Sequence, residues 1–316
     1  MRNDQSDPDQ EVLTLLAVYR WISVRQLLFL QQHSGRTLRR RLRRLENEGL
    51  IQVVAGGLGH GPGRPGQCLS LTWAGRERLQ AENILANGLP GEKSTVRSSR
   101  GMAHQLLLNE FCIQLIQIPQ IVPTLGTRFL NPGGPRAGSA GAATIIHQQE
   151  IAWANEEGGS PGFTPDGVLC MTDKADGKTI LFLLEVDMGT ESLISHQQSG
   201  HDIRTKIVRY QAYFRNAQYQ RMGTFLGTFL RGFRLLFVTA TLPRLTRLCQ
   251  LVRQMPPADF IWLTRRDLML TEGIWAPIWT RGGRDGEPLQ SILGRRTPQL
   301  SPRPADLGQT PLLSHR

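Results

Sequence analysis

The sequence predicts an α/β protein (α+β in its domain order), with an N-terminal winged helix-turn-helix before a larger domain built on a mixed sheet. Three observations predict this fold. Residues 11–86 follow the order helix, helix, helix, hairpin. Residues 102–280 alternate apolar, strand-like runs with helical stretches. The charge adds a clue to function, because 37 Lys and Arg against 26 Asp and Glu leave a net charge of +11. Such an excess favours a polyanionic partner.

Five segments are predicted along the 316 residues. They are a disordered N-terminus (1–10), the winged helix (11–86), a Gly-, Pro- and Ser-rich linker (87–101), the sheet domain (102–280) and a disordered tail (281–316). The start of the chain is acidic and polar, unlike a secretion signal, and no apolar run is long enough to cross a membrane. We therefore expect a cytoplasmic protein without membrane contact.

Helical spacing of apolar residues predicts the first helix over 11–21. Ser23 is a natural N-cap for a second, short helix that ends at Leu30. A break around Ser34 then opens a third helix, and Gly49 is suited to end it in the left-handed conformation. The sequence thus predicts three short helices in succession.

A hairpin should follow these helices. The runs LIQVV and CLSLT are strand-like, and the Gly- and Pro-rich loop between them contains Arg64. WAGRERLQ is expected to form a closing helix. Arg64 is a candidate for contact with phosphate or the minor groove of DNA.

The third helix carries six arginines between positions 36 and 44. Leu38, Leu42 and Leu45 share one face, which predicts a buried stripe with the arginines around it. Clustered like charges repel one another, and a phosphate backbone would relieve that repulsion. The candidate DNA-binding residues on this helix are Arg36, Thr37, Arg39, Arg40, Arg43 and Arg44. The alternatives are a solvated charged face or a winged helix used for protein contact.

The second domain begins with an apolar helix, residues 101–118, which carries Glu110. Strand-like runs follow: TIIHQQEIAW (144–153), GVLCM and TILFLLEVD. A helix containing DIRTKIVRYQAYF, the run FRLLFVTAT, another helix and FIWLT complete the pattern. This order predicts a mixed α/β sheet.

Three carboxylates lie at the ends of two adjacent runs. Asp166 precedes GVLCM, while Glu185 and Asp187 end TILFLLEVD two residues apart and so share a strand face. In an antiparallel hairpin they would converge, and Mg²⁺ or Mn²⁺ would then compensate their charge, with Lys206 close by. Alternatively, Asp166 caps a turn and the other two pair with arginines such as Arg204 and Arg209.

The cysteine and histidine residues do not suggest a metal site. The four cysteines are far apart in the chain, which favours small core residues over a zinc site or disulfides. His104, His196 and His201 do not have the spacing of metal ligands.

The strings TPDGVL, FLLEVDMGTE and KIVRYQAYF resemble the replication-relaxation family of bacterial mobile elements, over about residues 11–280. The resemblance implies a winged helix fused to a PD-(D/E)XK, restriction-endonuclease-like nuclease domain. It implies that Asp166 is the first motif acid, Glu185 the second, and Glu110 an optional further ligand. Asp187 stands where that pattern places lysine, so the resemblance implies either an acid at this position or a lysine from the following helix, where Lys206 lies.

These observations favour a sequence-specific DNA-binding protein of a plasmid or mobile element, acting in replication initiation, DNA relaxation or mobilisation. Its expected partners are double-stranded DNA, replication, mobilisation or transposition proteins, and a second copy of the chain if the target is palindromic. The first alternative is a Mg²⁺-dependent endonuclease or nickase targeted by the winged helix, with Asp166, Glu185 and Asp187 as metal ligands. The second is a transcriptional regulator with a catalytically silent nuclease-like domain.

Overall fold

The computed structural model describes residues 7–31, 34–55, 67–84, 99–130, 165–195 and 202–294. Within these ranges it contains a three-stranded sheet in the first unit and a six-stranded sheet in the second. Helices pack against both sheets. The α/β class predicted from the sequence is confirmed.

The first unit follows the predicted order of helices and hairpin. Its elements are α1 (Pro8–Tyr19), β1 (Ile22–Ser23), α2 (Val24–Leu30), α3 (Gly35–Asn47), β2 (Ile51–Ala55), β3 (Gln67–Leu71) and α4 (Trp73–Ala81). The short strand β1 was not predicted, and it pairs with β3 to make an antiparallel sheet of order β1-β3-β2. Arg64 lies outside the described residues, so the winged-helix interpretation and the role of Arg64 stay predictions.

The predicted ends of α2 and α3 are confirmed. Ser23 and Gln26 form a capping box at the start of α2, in which each side chain accepts a hydrogen bond from the other residue's backbone N–H. Ser34 caps α3, and Gly49 follows the helix with a φ of +71°. A glycine adopts this left-handed conformation without the strain that a Cβ atom would cause.

Helix α1 begins earlier than the sequence predicted. Pro8, Asp9 and Gln10, expected to be disordered, belong to the helix, which Asp7 caps by accepting a hydrogen bond from the N–H of Asp9. The side chain of Asp9 is buried and forms ion pairs with two arginines of α3. The cap and these ion pairs hold the segment in place. The two arginines are far from Asp9 in the sequence, so sequence spacing did not reveal the ion pairs.

The second unit is a six-stranded sheet with helices on both faces. Its elements are α5 (Ser99–Ile121), β4 (Leu125–Leu130), β5 (Gly167–Asp173), β6 (Thr179–Asp187), α6 (Ile203–Arg215), α7 (Gln220–Leu226), β7 (Phe233–Thr239), α8 (Leu242–Arg253), β8 (Ile261–Arg265), α9 (Arg266–Glu272) and β9 (Thr280–Arg281).

The strand order is β4-β5-β6-β7-β8-β9. β5 and β6 form the predicted antiparallel hairpin, β6, β7 and β8 run parallel, and the two outer strands are antiparallel to their neighbours. The mixed sheet is therefore confirmed. β4 was not predicted, and the predicted strand 144–153 lies outside the described residues.

Each face of this sheet buries its own apolar core. Helices α6, α7 and α8 cover one face, where they pack on inward side chains of β5 to β8. Helices α5 and α9 and the segment 274–293 cover the other. All four cysteines are buried and unbridged, as expected for small core residues.

Two boundaries of the sheet domain differ from prediction. Helix α5 begins at Ser99, inside the predicted linker, whose residues 87–98 lie outside the described ranges. The chain also stays in the fold past residue 281, where the predicted tail begins, because Trp279 bridges to Gln290 and the side chains of Ile292 and Leu293 are buried. Burial of these two apolar side chains holds the segment against the domain, although its Gly- and Pro-rich composition alone predicts disorder.

Helix α5 also joins the two units. The Nδ2 atom of Asn109 donates to the backbone oxygens of Tyr19 (3.1 Å) and Trp21 (2.5 Å), in the turn between α1 and α2. Gln26 of α2 donates to Leu106 O at 2.9 Å. The first unit thus rests on the helix that opens the second. None of the helices in the described ranges combines the length and apolar character of a membrane span.

Candidate functional site

The arginine helix α3 presents two distinct faces. Leu38, Leu42 and Leu45 are buried in the core of the first unit, as the spacing predicted. Four of the predicted DNA-binding arginines are exposed on the remaining surface: Arg36, Arg39, Arg40 and Arg43. Thr37 is half-buried, and its N–H donates to the Ser34 cap at 3.3 Å.

The other two arginines of α3 bind within the protein. Arg41 places its Nε atom 2.8 Å from Oδ1 of Asp9, and Arg44 binds the other carboxylate oxygen. Arg44 also lies 3.8 Å from Glu48, although its side chain is 58% exposed. Asp9 therefore orients one edge of the arginine cluster and leaves four arginines directed at solvent.

A second candidate site is a pocket of about 240 Å³ at the ends of β5 and β6. The predicted residues Asp166, Glu185, Asp187 and Lys206 all line it. His104 of α5 and Glu191, in the segment after β6, line it as well. The antiparallel pairing of β5 with β6 brings Asp166, just before one strand, beside the end of the other, as predicted.

Glu185 is a buried acid of the pocket. Its side chain is 4% exposed, and its Oε2 atom accepts a hydrogen bond from Lys206 Nζ at 2.9 Å. The Tyr210 hydroxyl donates to the other oxygen. Lys206 also lies 3.3 Å from Glu191. Both partners of Glu185 come from α6, one turn apart, so this helix neutralises and orients the buried carboxylate.

Asp166 links the backbone of β6 to α5. Its Oδ2 atom accepts a hydrogen bond from the N–H of Val186 at 2.7 Å and lies 3.1 Å from Nε2 of His104. This N–H belongs to the adjacent strand, so the bond differs from the turn cap that the alternative gave to Asp166. Its side chain nevertheless remains 26% exposed towards the pocket.

Asp187 is held by an arginine that the sequence did not suggest. Arg244 of α8 places Nε 2.6 Å from one oxygen of Asp187 and donates an NH2 hydrogen bond to the other at 3.1 Å. The same guanidinium donates to Glu191 O at 2.7 Å. The ion-pair alternative is therefore realised with Arg244, and the partners suggested from sequence, Arg204 and Arg209, form no ion pair with Asp187 in the described residues.

Glu110, the predicted extra ligand, is not among the residues that line the pocket. Its carboxylate accepts hydrogen bonds from Gln26 and Gln114, both at 3.2 Å. Glu110 is buried where the first unit rests on α5. Its position on α5 directs it to that contact, whereas His104 takes the place near Asp166.

The charged groups shift one another's pKa. Burial raises the pKa of Glu185 to about 7, the charge of Asp166 adds to this rise, and Lys206 and Tyr210 oppose it. Burial alone would lower the pKa of His104, but the hydrogen bond and charge of Asp166 outweigh it and raise that pKa. Burial also acts to lower the pKa of Lys206, but the charge and hydrogen bond of Glu185 outweigh burial, so this pKa is raised. The pocket is a mutually neutralised set of acids and bases.

This arrangement does not fit the predicted three-carboxylate metal site. Within the described ranges, no three His, Cys, Asp or Glu side chains are placed to hold a metal ion. Both oxygens of Asp187 and both of Glu185 already have cationic or hydroxyl partners. A divalent cation would have to displace these partners before it could bind there.

A family model described as replication-relaxation matches residues 13–228 of the chain, which is more than half of its length. The chain belongs to the replication-relaxation family. Membership suggests a role in replication or relaxation, with DNA or replication proteins as partners. No curated protein and no solved structure matches the chain.

The family match covers both candidate sites. It includes α3, and it includes Asp166, Glu185 and Lys206 of the pocket. Arg244 lies beyond it, on α8. Of the pocket residues inside the match, Asp166, Glu185 and Lys206 belong to the strings TPDGVL, FLLEVDMGTE and KIVRYQAYF.

Three partners of the pocket acids escaped the sequence analysis: His104 beside Asp166, Tyr210 beside Glu185, and Arg244 beside Asp187. His104 had no second histidine at ligand spacing, and Arg244 is 57 residues from Asp187. Only one signal was available in advance. Tyr210 follows Lys206 by four residues, which puts both on one face of a helix and so within reach of the same acid.

Proposed function

We propose that the protein is a sequence-specific, duplex-DNA-binding protein of a plasmid or mobile element, acting in replication initiation, DNA relaxation or mobilisation. The exposed arginine face of α3 carries this proposal. Arg36, Arg39, Arg40 and Arg43 project from a helix whose opposite side is anchored by three buried leucines.

Physical chemistry supports duplex DNA as the ligand of this face. Four exposed guanidinium groups along two turns repel one another, and phosphate contacts remove that repulsion and release counterions. Helix-turn-helix proteins place the equivalent helix in the major groove, where arginine bonds guanine through two N–H groups. The family's link to replication and relaxation agrees with a DNA ligand.

The test replaces Arg40 and Arg43 with Ala and measures duplex affinity against salt, on a target selected from random sequence. We expect the slope of log K against log salt to fall by about 0.9 for each lost phosphate contact, and affinity to fall with it. Lys174→Ala/Lys178→Ala is the matched control, since it removes two exposed cations from the β5–β6 turn. Unchanged affinity and slope in the arginine variant would refute the proposal.

A second candidate function is a Mg²⁺- or Mn²⁺-dependent endonuclease or nickase. The observation that favours it is the convergence of Asp166, Glu185 and Lys206 on one pocket, where the metal would have to displace the present partners of the acids. Supercoiled plasmid carrying the selected target, incubated with either metal, should then be nicked or linearised, and Glu185→Ala should abolish the cleavage. Intact plasmid with the unaltered protein would exclude this function, while duplex binding through α3 would still stand.

A further inference from the structure

The sheet domain contains a long stretch without any acidic residue. From Ile203 to Ala258 the chain has ten Lys and Arg and no Asp or Glu. This stretch comprises α6, α7, β7 and α8. It accounts for nearly all of the net charge of +11. The basic excess of the protein is therefore local, and it lies away from the arginine helix α3.

The fold places most of these cations on one side of the sheet, while Arg234 lies over the Trp262 ring on the other side. Helices α6, α7 and α8 all pack their apolar residues on the same sheet face, so their outer surfaces form a continuous side of the domain. We call this side the basic face. Its exposed arginines include Arg204, Arg215, Arg231 and Arg247. Acids from outside the stretch pair with three other cations of it, Lys206, Arg244 and Arg253.

Two aromatic side chains stand exposed among these arginines. Phe225 is 39% exposed and lies one turn after Arg221 on α7, and Phe229 is 74% exposed and lies two residues before Arg231. A ring as exposed as that of Phe229, beside arginines, offers an aromatic face on which a nucleic-acid base can stack.

The turn that carries Phe229 is tightly built. Gly227 ends α7 with a φ of +65°, and the N–H of Thr228 donates to Gly223 O at 2.9 Å. A Cβ atom on Gly223 would lie 2.6 Å from Thr228 O, so the chain closes too tightly there for a side chain. Leu230, next to Phe229, is buried. The exposed ring is thus held on an anchored turn.

We infer that the basic face binds single-stranded DNA, with phosphates on its arginines and a base stacked on Phe229. A duplex hides its base faces within the stack, whereas a single strand offers them to aromatic side chains. DNA as the nucleic acid rests on the proposed function, because replication initiation and relaxation expose single strands. The surface itself is separate from α3, which binds the duplex.

The test measures binding of the full chain to fluorescent oligo(dT) of about 16 nucleotides, a length within the range of known single-strand sites. Phe229→Leu keeps an apolar side chain but removes the aromatic ring, and we expect affinity to fall about tenfold. Phe229→Trp should restore it, because stacking needs only an aromatic face. Trp73→Leu is the control, since Trp73 is 64% exposed but lies in the first unit.

The arginines are tested by Arg215→Ala and Arg231→Ala, each of which should lower the salt slope for oligo(dT) by about 0.7. The Arg40→Ala/Arg43→Ala variant should retain oligo(dT) binding, so failure of the duplex proposal and failure of this one are distinguishable. Equal binding by the unaltered protein, Phe229→Leu and Phe229→Trp would overturn the inference. Competition by poly-aspartate as strong as that by unlabelled oligo(dT) would also overturn it, because the basic face would then be a site for acidic proteins.

Discussion

The Nζ atom of Lys206 lies 2.9 Å from Oε2 of Glu185, which ties the first turns of α6 to the end of β6. Glu185 is nearly inaccessible to water, and Lys206 is 27% exposed. A buried carboxylate is costly without a partner, so this pair holds the helix and the strand together at the pocket.

Replacing Lys206 with Met should destabilise the protein by about 3 kcal/mol above pH 7, where Glu185 is ionised, because it leaves this buried charge without its cation. Urea denaturation measures the change in the free energy of unfolding. Lys178→Met is the control, because Lys178 is 77% exposed and should contribute little. A loss no larger for Lys206 than for Lys178 would contradict the prediction.

Stability should also depend on pH through Glu185, whose pKa burial raises to about 7 from an ordinary value of 4.5. The folded state holds a proton in this range that the unfolded state releases. The resulting stabilisation is complete below pH 4.5 and is lost as pH rises to 7, at about 1.4 kcal/mol per unit of pKa shift. Glu185→Gln should remove this dependence of the free energy of unfolding on pH, measured between pH 4.5 and 7. An unchanged pH profile would contradict the prediction.

The buried acid of α1 gives a prediction for the first unit. Asp9→Ala removes the carboxylate that binds Arg41 and Arg44, and Arg41 is only 15% exposed. We expect a loss of about 2 kcal/mol, seen as a lower melting temperature of the first unit. Glu46→Ala removes an exposed acid from α3 and should change little. Equal melting temperatures for the two variants would count against the role of Asp9.

The contact between the units can be tested at Asn109. Asn109→Ala removes one donor from the backbone oxygens of Tyr19 and Trp21, which should cost about 2 kcal/mol. Because these bonds join the units, calorimetry should show one unfolding transition becoming two. Ile116→Ala alters an exposed side chain of the same helix and should preserve a single transition. A single transition in both variants would mean that the units are coupled elsewhere.

Local patterns in the sequence were enough for much of the fold. The Ser23 cap, the leucine stripe of α3 and the glycine at 49 depend on neighbours within a few residues, which sequence spacing displays directly. The apolar runs of β5 to β8 were visible for the same reason. β1 and β4 were missed, since a strand of two residues and one containing Gly126 and Arg128 show little of the usual pattern.

The sequence by itself determined which residue types face solvent on α3, the hairpin that brings Asp166 to Glu185, and the family. The tertiary structure decided which charges meet. Arg44 binds Asp9, Asp187 binds Arg244, and Glu110 joins the contact between the units instead of the pocket. The reason is physical. A buried charge is stabilised by whichever partner the packing brings within a few ångströms, and that partner can come from any part of the chain.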